Sequence, residues 1–361
     1  MNLSETRMAN IELVRRVFER GGVVQLASLI KETGLTQVSC TTKIEELMAE
    51  GAVVELKRQA SANRGRPIRR FEVVPNYRLA AEIILECESL RCAYPTSLHY
   101  RVVNVLGEVI TQGVEDGGAA ISAEKLYTLI GALKKKYKAL KKVVVAFPGP
   151  MTNGVVVAGG DPHFDSFVGL DLKAEILSRF GLPSEIANDM NLAALGYYDE
   201  HAANLPQTFA YVGEQPNMCP GCGIVVEGKI LEGAKGFAGE VKYLDTASQK
   251  DLMLRLASRG ERKKLAVRMI AGLTAVLNPA EIVLAGETFA DPPFVRDIEK
   301  DCAAVLPAEV VPKLMVRDDW HADEWRGMFV LAKSIILPSA AEKKFTKKSN
   351  SKNAKAKGKT K

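Results

Sequence analysis

No stretch of this 361-residue chain approaches the roughly 18 uninterrupted apolar residues that cross a bilayer, so no membrane span is expected. Cysteine is scarce: Cys40, Cys87, Cys92, Cys219, Cys222 and Cys302 are too few for a disulfide framework in a chain this long, which fits a reducing compartment. The chain opens on polar Asn2, Ser4 and Glu5 and not on a basic and then apolar leader, so the expected location is the cytoplasm. Two local absences say more. Glycine is missing from the whole interval between Gly65 and Gly107, which excludes a backbone-lined phosphate turn there. Acidic residues are missing from 57 to 70, where Lys57, Arg58, Arg64, Arg66, Arg69 and Arg70 crowd together.

What is present divides the charge unevenly. The chain carries +6 overall; residues 1–78 hold 13 Lys and Arg against 9 Asp and Glu, and the last twenty hold nine Lys against Glu342, leaving the middle at −6. Clustered Lys and Arg draw phosphate whatever the base sequence, so positive ends on an acidic body imply that the ends meet a polyanion and the body does not.

At the N-terminal end Met8, Ile11, Val14, Val17 and Phe18 recur at helical spacing before Gly21-Gly22, and Leu26, Leu29 and Ile30 repeat the pattern. Gly34 then supplies a turn, Thr36 is a fit N-cap, and a third helix runs to Glu50 with Cys40, Ile44, Leu47 and Met48 inward. Strands at 52–56 and 70–74 flank a basic wing, completing a winged helix-turn-helix of about 70 residues, near the lower size for independent folding. The outward residues of the third helix are expected to be Gln37, Ser39, Thr42 and Lys43. In the wing, Arg64-Gly65-Arg66-Pro67 resembles a hook whose arginines enter a narrow A·T minor groove, and Arg69 extends the same basic surface. An ordinary solvated basic loop is the plainer alternative.

From about residue 80 strands alternate with helices, the mark of a mixed α/β body. The division expected is 1–78 for the DNA-binding unit, 79–190 and 191–338 for two lobes, the second ending in a helix that returns to the first, and 339–361 for a disordered lysine-rich tail. That tail reads equally as a solubilising run or as a nonspecific DNA contact.

Four motifs stand in order along the body: Phe147-Pro148-Gly149-Pro150; Ile186-Ala187-Asn188-Asp189 with Ala193-Ala194-Leu195-Gly196; Gly233-Ala234-Lys235-Gly236-Phe237-Ala238-Gly239-Glu240; and Leu277-Asn278-Pro279-Ala280 leading through Ile282-Val283-Leu284 to Gly286. In this order, behind a winged helix, they resemble the ROK family (repressors, uncharacterised members and sugar kinases), and specifically its repressor branch. The resemblance implies a two-lobed actin- and hexokinase-like (ribonuclease H-like) body with sugar held between the lobes. It implies sugar contacts at Asn188, Asp189 and Glu240, whose amide and carboxylates suit vicinal hydroxyls. On the residues alone, Asp189 and Glu240 read equally as helix-cap or turn carboxylates.

The departures from the family pattern separate repressor from kinase. Where its kinases carry an Asp-x-Gly-Gly-Thr turn, this chain has Glu86-Cys87-Glu88-Ser89-Leu90, and Val212-Gly213-Glu214-Gln215-Pro216-Asn217 replaces the second phosphate loop. Side chains and two carboxylates would obstruct and repel a triphosphate. The family's zinc set is absent as well, with Tyr243 in place of its histidine and no cysteine between Cys222 and Cys302. Cys219-Pro220-Gly221-Cys222 has no partner pair for metal or redox work, and His163 is a lone loop histidine. The reading is a cytoplasmic transcriptional regulator of the repressor kind, without enzymatic activity, metal or cofactor. It would bind double-stranded DNA as a homodimer or homotetramer, with or without a sugar-like effector. The alternative is a sugar kinase or carbohydrate-binding enzyme with an accessory DNA-binding domain.

Overall fold

The computed structural model describes residues 3–57, 68–87, 96–152, 154–157, 162–202, 204–206, 208–214 and 219–333. Arg64, Gly65, Arg66, the stretch from Glu88 to Leu90 and the lysine-rich tail therefore lie outside the described residues.

The N-terminal unit consists of α1 (Leu3–Phe18), β1 (Val23–Gln25), α2 (Leu26–Thr33), α3 (Gln37–Ala49), β2 (Val53–Glu55) and β3 (Arg70–Val73). Gly34 closes α2 in the left-handed conformation, and the Thr36 hydroxyl accepts the Ser39 amide to open α3, so the turn between the two helices is set by two nearby caps. Strand β3 lies between β1 and β2, antiparallel to both, which makes the short Val23–Gln25 segment a third strand beyond the two expected from the sequence.

The first lobe contains β4 (Leu79–Cys87), β5 (Thr96–Asn104), β6 (Val109–Gly118), α4 (Ala123–Lys136), β7 (Leu140–Phe147), the small β8 (Met151–Thr152) and β9 (Val155–Val156) pair, α5 (Leu172–Phe180) and β10 (Ser184–Asn188). The second contains α6 (Asp189–His201), β11 (Phe209–Gly213), β12 (Gly221–Val226), β13 (Lys229–Ile230), α7 (Gln249–Arg255), α8 (Arg259–Leu277), β14 (Glu281–Ala285), α9 (Pro292–Val305) and β15 (Lys313–Arg317), followed by α10 (Trp320–Ala332). The two main sheets repeat one plan. In the order β10-β7-β4-β5-β6 the last three strands form an antiparallel meander while β4, β7 and β10 run parallel. The order β13-β12-β11-β14-β15 has the same meander and the same parallel half. Parallel neighbours need crossover helices, and α4, α5, α8 and α9 supply them.

The winged helix has no separate core. Phe18, Leu29, Leu47 and Phe71 belong to one apolar cluster with Ala80, Ile84, Val103 and Val144 of the first sheet and Met328 and Ala332 of α10. The segment of about 70 residues thereby shares a buried apolar cluster with the body.

Helices α6 and α10 cross at backbone distance. A Cβ built on Gly196 would lie 1.8 Å from the Asp323 carbonyl oxygen, and one built on Gly327 would lie 1.9 Å from that of Leu192. Only glycine permits this approach. Since α6 begins in the space between the lobes and α10 ends under the winged helix, the crossing joins the two.

Candidate ligand cleft and nucleic-acid interface

Strand β10 ends and α6 begins at Asn188-Asp189, where a cavity of about 110 Å³ opens between the lobes. The Asn188 side chain caps α6 by accepting the Asn191 amide at 3.1 Å and donates to the Gly149 carbonyl at 3.4 Å, so it also ties the helix start to the Pro148-Gly149 turn. Asp189 accepts the adjacent Met190 amide at 2.8 Å and lines the cavity, where a carboxylate has acceptor capacity beyond that one bond. Glu240 reaches the same space from the second lobe and is held by Lys242 Nζ at 2.9 Å. The three expected ligand residues therefore meet in one cleft, with Asn188 performing a cap as well.

Lys242, Glu214 and Trp320 also line the cavity; no motif in the sequence marked Lys242 or Trp320, and Glu214 stood out only as a departure from the second phosphate loop. Lys242 has no periodicity to betray it; only the fold brings its ammonium to Glu240 at the cleft. Glu214, directly after β11, is buried, and loss of water lifts its carboxyl to about 7 against the opposing pull of Arg262 and Thr288. His163 stays outside the lining, with Nδ1 3.6 Å from Cys87 Sγ, while its neighbour Phe164 is part of the wall.

Burial among protein atoms also raises the Asp189 carboxyl to about 6, with the nearby Glu240 acting in the same direction and Lys242 opposing it. A folded-state value above the ordinary one means the folded chain binds the proton more tightly than the unfolded chain. This group's contribution to stability therefore falls as pH rises from about 4 to about 6 and stays unfavourable above. Asp189→Asn is expected to raise the thermal midpoint at pH 7.5, with the gain shrinking as the pH approaches 4; an equal gain at both pH values would contradict the assignment.

In the N-terminal unit, α3 presents Gln37, Val38, Thr42 and Glu45 to solvent. Val38 is 76% exposed. Ser39 is half-buried. Lys43 does not face outward as expected: it is 6% exposed, with Nζ 2.8 Å from Glu46 Oε1, because its position turns toward the side that also carries Ile44 and Leu47. Arg69 is engaged as well, its Nε and Nη2 donating to Glu55 at 3.0 and 2.8 Å and its guanidinium lying over Phe71. That pair clamps β2 to β3 at the base of the wing.

Among the described residues no group of three or more His, Cys, Asp and Glu is placed to hold a metal ion, and no helix is long and apolar enough to cross a membrane.

A winged helix on a two-lobed body, with a polar cleft between lobes of repeated plan, defines the class by its fold: an actin- and hexokinase-like body behind a winged helix-turn-helix. Residues 118–248 match the ROK family. It is similar to the crystal structure of a ROK family transcriptional regulator, a homologue of the E. coli MLC protein, with a TM-score of 0.67 and 18% identity over 91% of this chain and 97% of that one. Among curated relatives it is 28% identical over 180 residues to the uncharacterized protein CPE0188 of Clostridium perfringens, covering 45% of this chain and 59% of the relative. It is 24% identical over 258 residues to the xylose repressor of Caldicellulosiruptor bescii, covering 68% and 61%. The chain spans about 60% of the length of these curated relatives.

Proposed function

We propose that this protein is a DNA-binding transcriptional repressor of the ROK type, that its cleft senses a sugar or sugar derivative, and that it does not phosphorylate what it binds. The observation that carries the reading is the continuous path from cleft to winged helix: Asp189 opens α6, α6 crosses α10 at glycine contact, and α10 enters the winged-helix core. A ligand hydroxyl that displaces Lys242 from Glu240 or engages Asp189 acts at the first turn of that path. Repression by a helix-turn-helix protein would place α3 in the major groove of an inverted repeat, with Gln37 and Thr42 toward base edges and Val38 against a thymine methyl. Arg66 of the wing, outside the described residues, would enter the neighbouring minor groove. Self-association as a homodimer or homotetramer is part of the reading; the exposed Val276 on α8 and Val305 on α9 offer an apolar surface for it. The cytoplasm, where DNA and sugar effectors meet, is the proposed location.

Genomic fragments selected by the purified protein are expected to share an inverted repeat, and their retention should fall steeply with salt because phosphate contacts release counterions. Adding D-xylose, glucose or an N-acetylhexosamine one at a time should release the fragments for one member of the panel. Selection without a shared motif would overturn the reading.

The second reading, a sugar kinase, is motivated by Asp189, whose raised pKa suits a general base near neutral pH. Against it stand Glu86 at the end of β4 and buried Glu214 after β11, carboxylates at the two turns where phosphates would lie. ADP release with the same sugars is expected to stay at background; turnover abolished by Asp189→Asn would revive the kinase.

A further inference from the structure

Although the middle of the chain is acidic overall, one of its turns is strongly basic. Between the last turn of α4 and the start of β7 stand Lys134, Lys135, Lys136, Lys138, Lys141 and Lys142. Two of them are committed to the fold: Lys134 donates to the Phe180 carbonyl, and Lys142 is buried with Nζ on the Leu331 carbonyl of α10 at 2.7 Å. The other four, Lys135, Lys136, Lys138 and Lys141, are exposed, and among the described residues none forms an ion pair. Lys136 lies over the Tyr137 ring at 5.2 Å, which steadies the turn without neutralising it. Lysines do favour a helix C-terminus, but that preference accounts for the last turn of α4 and not for Lys138 and Lys141 beyond it.

The position of this turn matters more than its charge. Its Ala139 carbonyl accepts the Leu79 amide at 3.0 Å, so it is bonded to the residue at which β4 leaves the winged helix. Arg78, one residue earlier, lies over Tyr77, and the Tyr77 hydroxyl donates to Glu50 at the C-terminal end of α3 at 3.2 Å. The lysine turn is thus one short series of bonded neighbours from the far end of the helix assigned to the major groove. The 13 residues of α3 span about 20 Å at 1.5 Å per residue, equal to about six base-pair steps of 3.4 Å.

We infer that Lys135, Lys136, Lys138 and Lys141 form a second phosphate-binding surface that holds duplex DNA flanking the site read by the winged helix. The inference rests on the DNA-binding reading above and adds a body contact to it. The contact would be electrostatic and independent of base sequence, lengthening the footprint and raising affinity without changing the motif recognised.

The test compares the full-length protein with a variant in which these four lysines are glutamine, using a selected fragment trimmed to about 20 bp, enough for two half-sites, and the same fragment with about 10 bp of flank on each side. Wild type should bind the longer duplex roughly tenfold more tightly, and the variant should lose that advantage while keeping its affinity for the short one. The slope of log affinity against log salt on the long duplex should fall by roughly 2 to 4, at about 0.9 for each phosphate that the variant no longer neutralises. A control with Lys229, Lys250, Lys264 and Lys300 of the second lobe changed to glutamine should behave as wild type; matching thermal midpoints would establish that both variants are folded. A quadruple variant with wild-type affinity and slope on the long duplex overturns the inference while leaving the DNA-binding reading intact. That result would assign the turn to an acidic protein partner or to none. A wild-type protein that retains no duplex of either length sinks the DNA-binding reading and this surface with it.

Discussion

Gly327→Ala and Gly196→Ala should each lower stability by about 3 kcal/mol or more, at or beyond the usual upper range for overpacking, because the added methyl meets a backbone carbonyl and not a movable side chain. The clash can be relieved only by separating α6 from α10. That would disturb the cleft, where α6 begins, and the winged-helix core, where α10 ends. Thermal unfolding followed by circular dichroism should show midpoints several degrees below wild type. Gly260→Ala is the control: it is also helical, but its nearest neighbour is the Ser258 hydroxyl at 3.7 Å, and its midpoint should be unchanged or raised. If Gly327→Ala and Gly260→Ala melt alike, the two helices do not meet at backbone distance. Fragment retention measured on the folded fraction would show in addition whether loosening the crossing weakens the response to a sugar.

Asp323→Ala is expected to cost about 3 kcal/mol, the low end of the range for removing one partner from a buried ion pair, because Arg317 is partly exposed and keeps Glu200. The Asp323 side chain is 1% exposed and accepts Arg317 Nε and Nη2 at 2.8 and 2.7 Å and the Tyr211 hydroxyl at 2.8 Å. It therefore fastens α10 to β15 and β11 of the second lobe, while Arg101 of β5, paired with buried Glu82, donates to the Trp325 carbonyl at 2.7 Å and fastens the same helix to the first. Removing the carboxylate leaves the Tyr211 phenol without its acceptor and the Arg317 guanidinium with Glu200 alone, at 2.8 Å. Asp323→Asn should cost less, since the amide still offers an acceptor, and combining Asp323→Ala with Arg317→Met should recover part of the deficit. Denaturant unfolding of the four proteins measures this directly; a fully additive double variant would mean that the pair does not act as a unit.

Both experiments address α10, whose local sequence carries few signs of its importance. A helical segment was legible there, but the bonds of Asp323 to Tyr211 and of the Trp325 carbonyl to Arg101 join residues more than a hundred positions apart. The cleft was legible through Asn188, Asp189 and Glu240, each inside a motif with a recognisable order. Lys242 was not, because a lysine just past a glycine-rich loop has no period to betray which way it points. On α3, Gln37 and Thr42 face outward as the helical repeat predicts, whereas Lys43 turns inward. A lysine is read as exposed from sequence by default, and here its stem packs beside Ile44 and Leu47 while its ammonium reaches Glu46.

Local chemistry alone determined the elements: the spacing of apolar residues, the caps at Gly34 and Thr36, and the lack of any glycine between Gly65 and Gly107 depend only on near neighbours in the chain. The tertiary structure decided what those elements share, namely one core for winged helix and first lobe, one helix crossing between cleft and core, and one basic turn bonded to the winged helix's exit. Such features arise where distant segments exclude water from each other, and the free energy of that exclusion depends on surfaces that no single stretch of sequence contains.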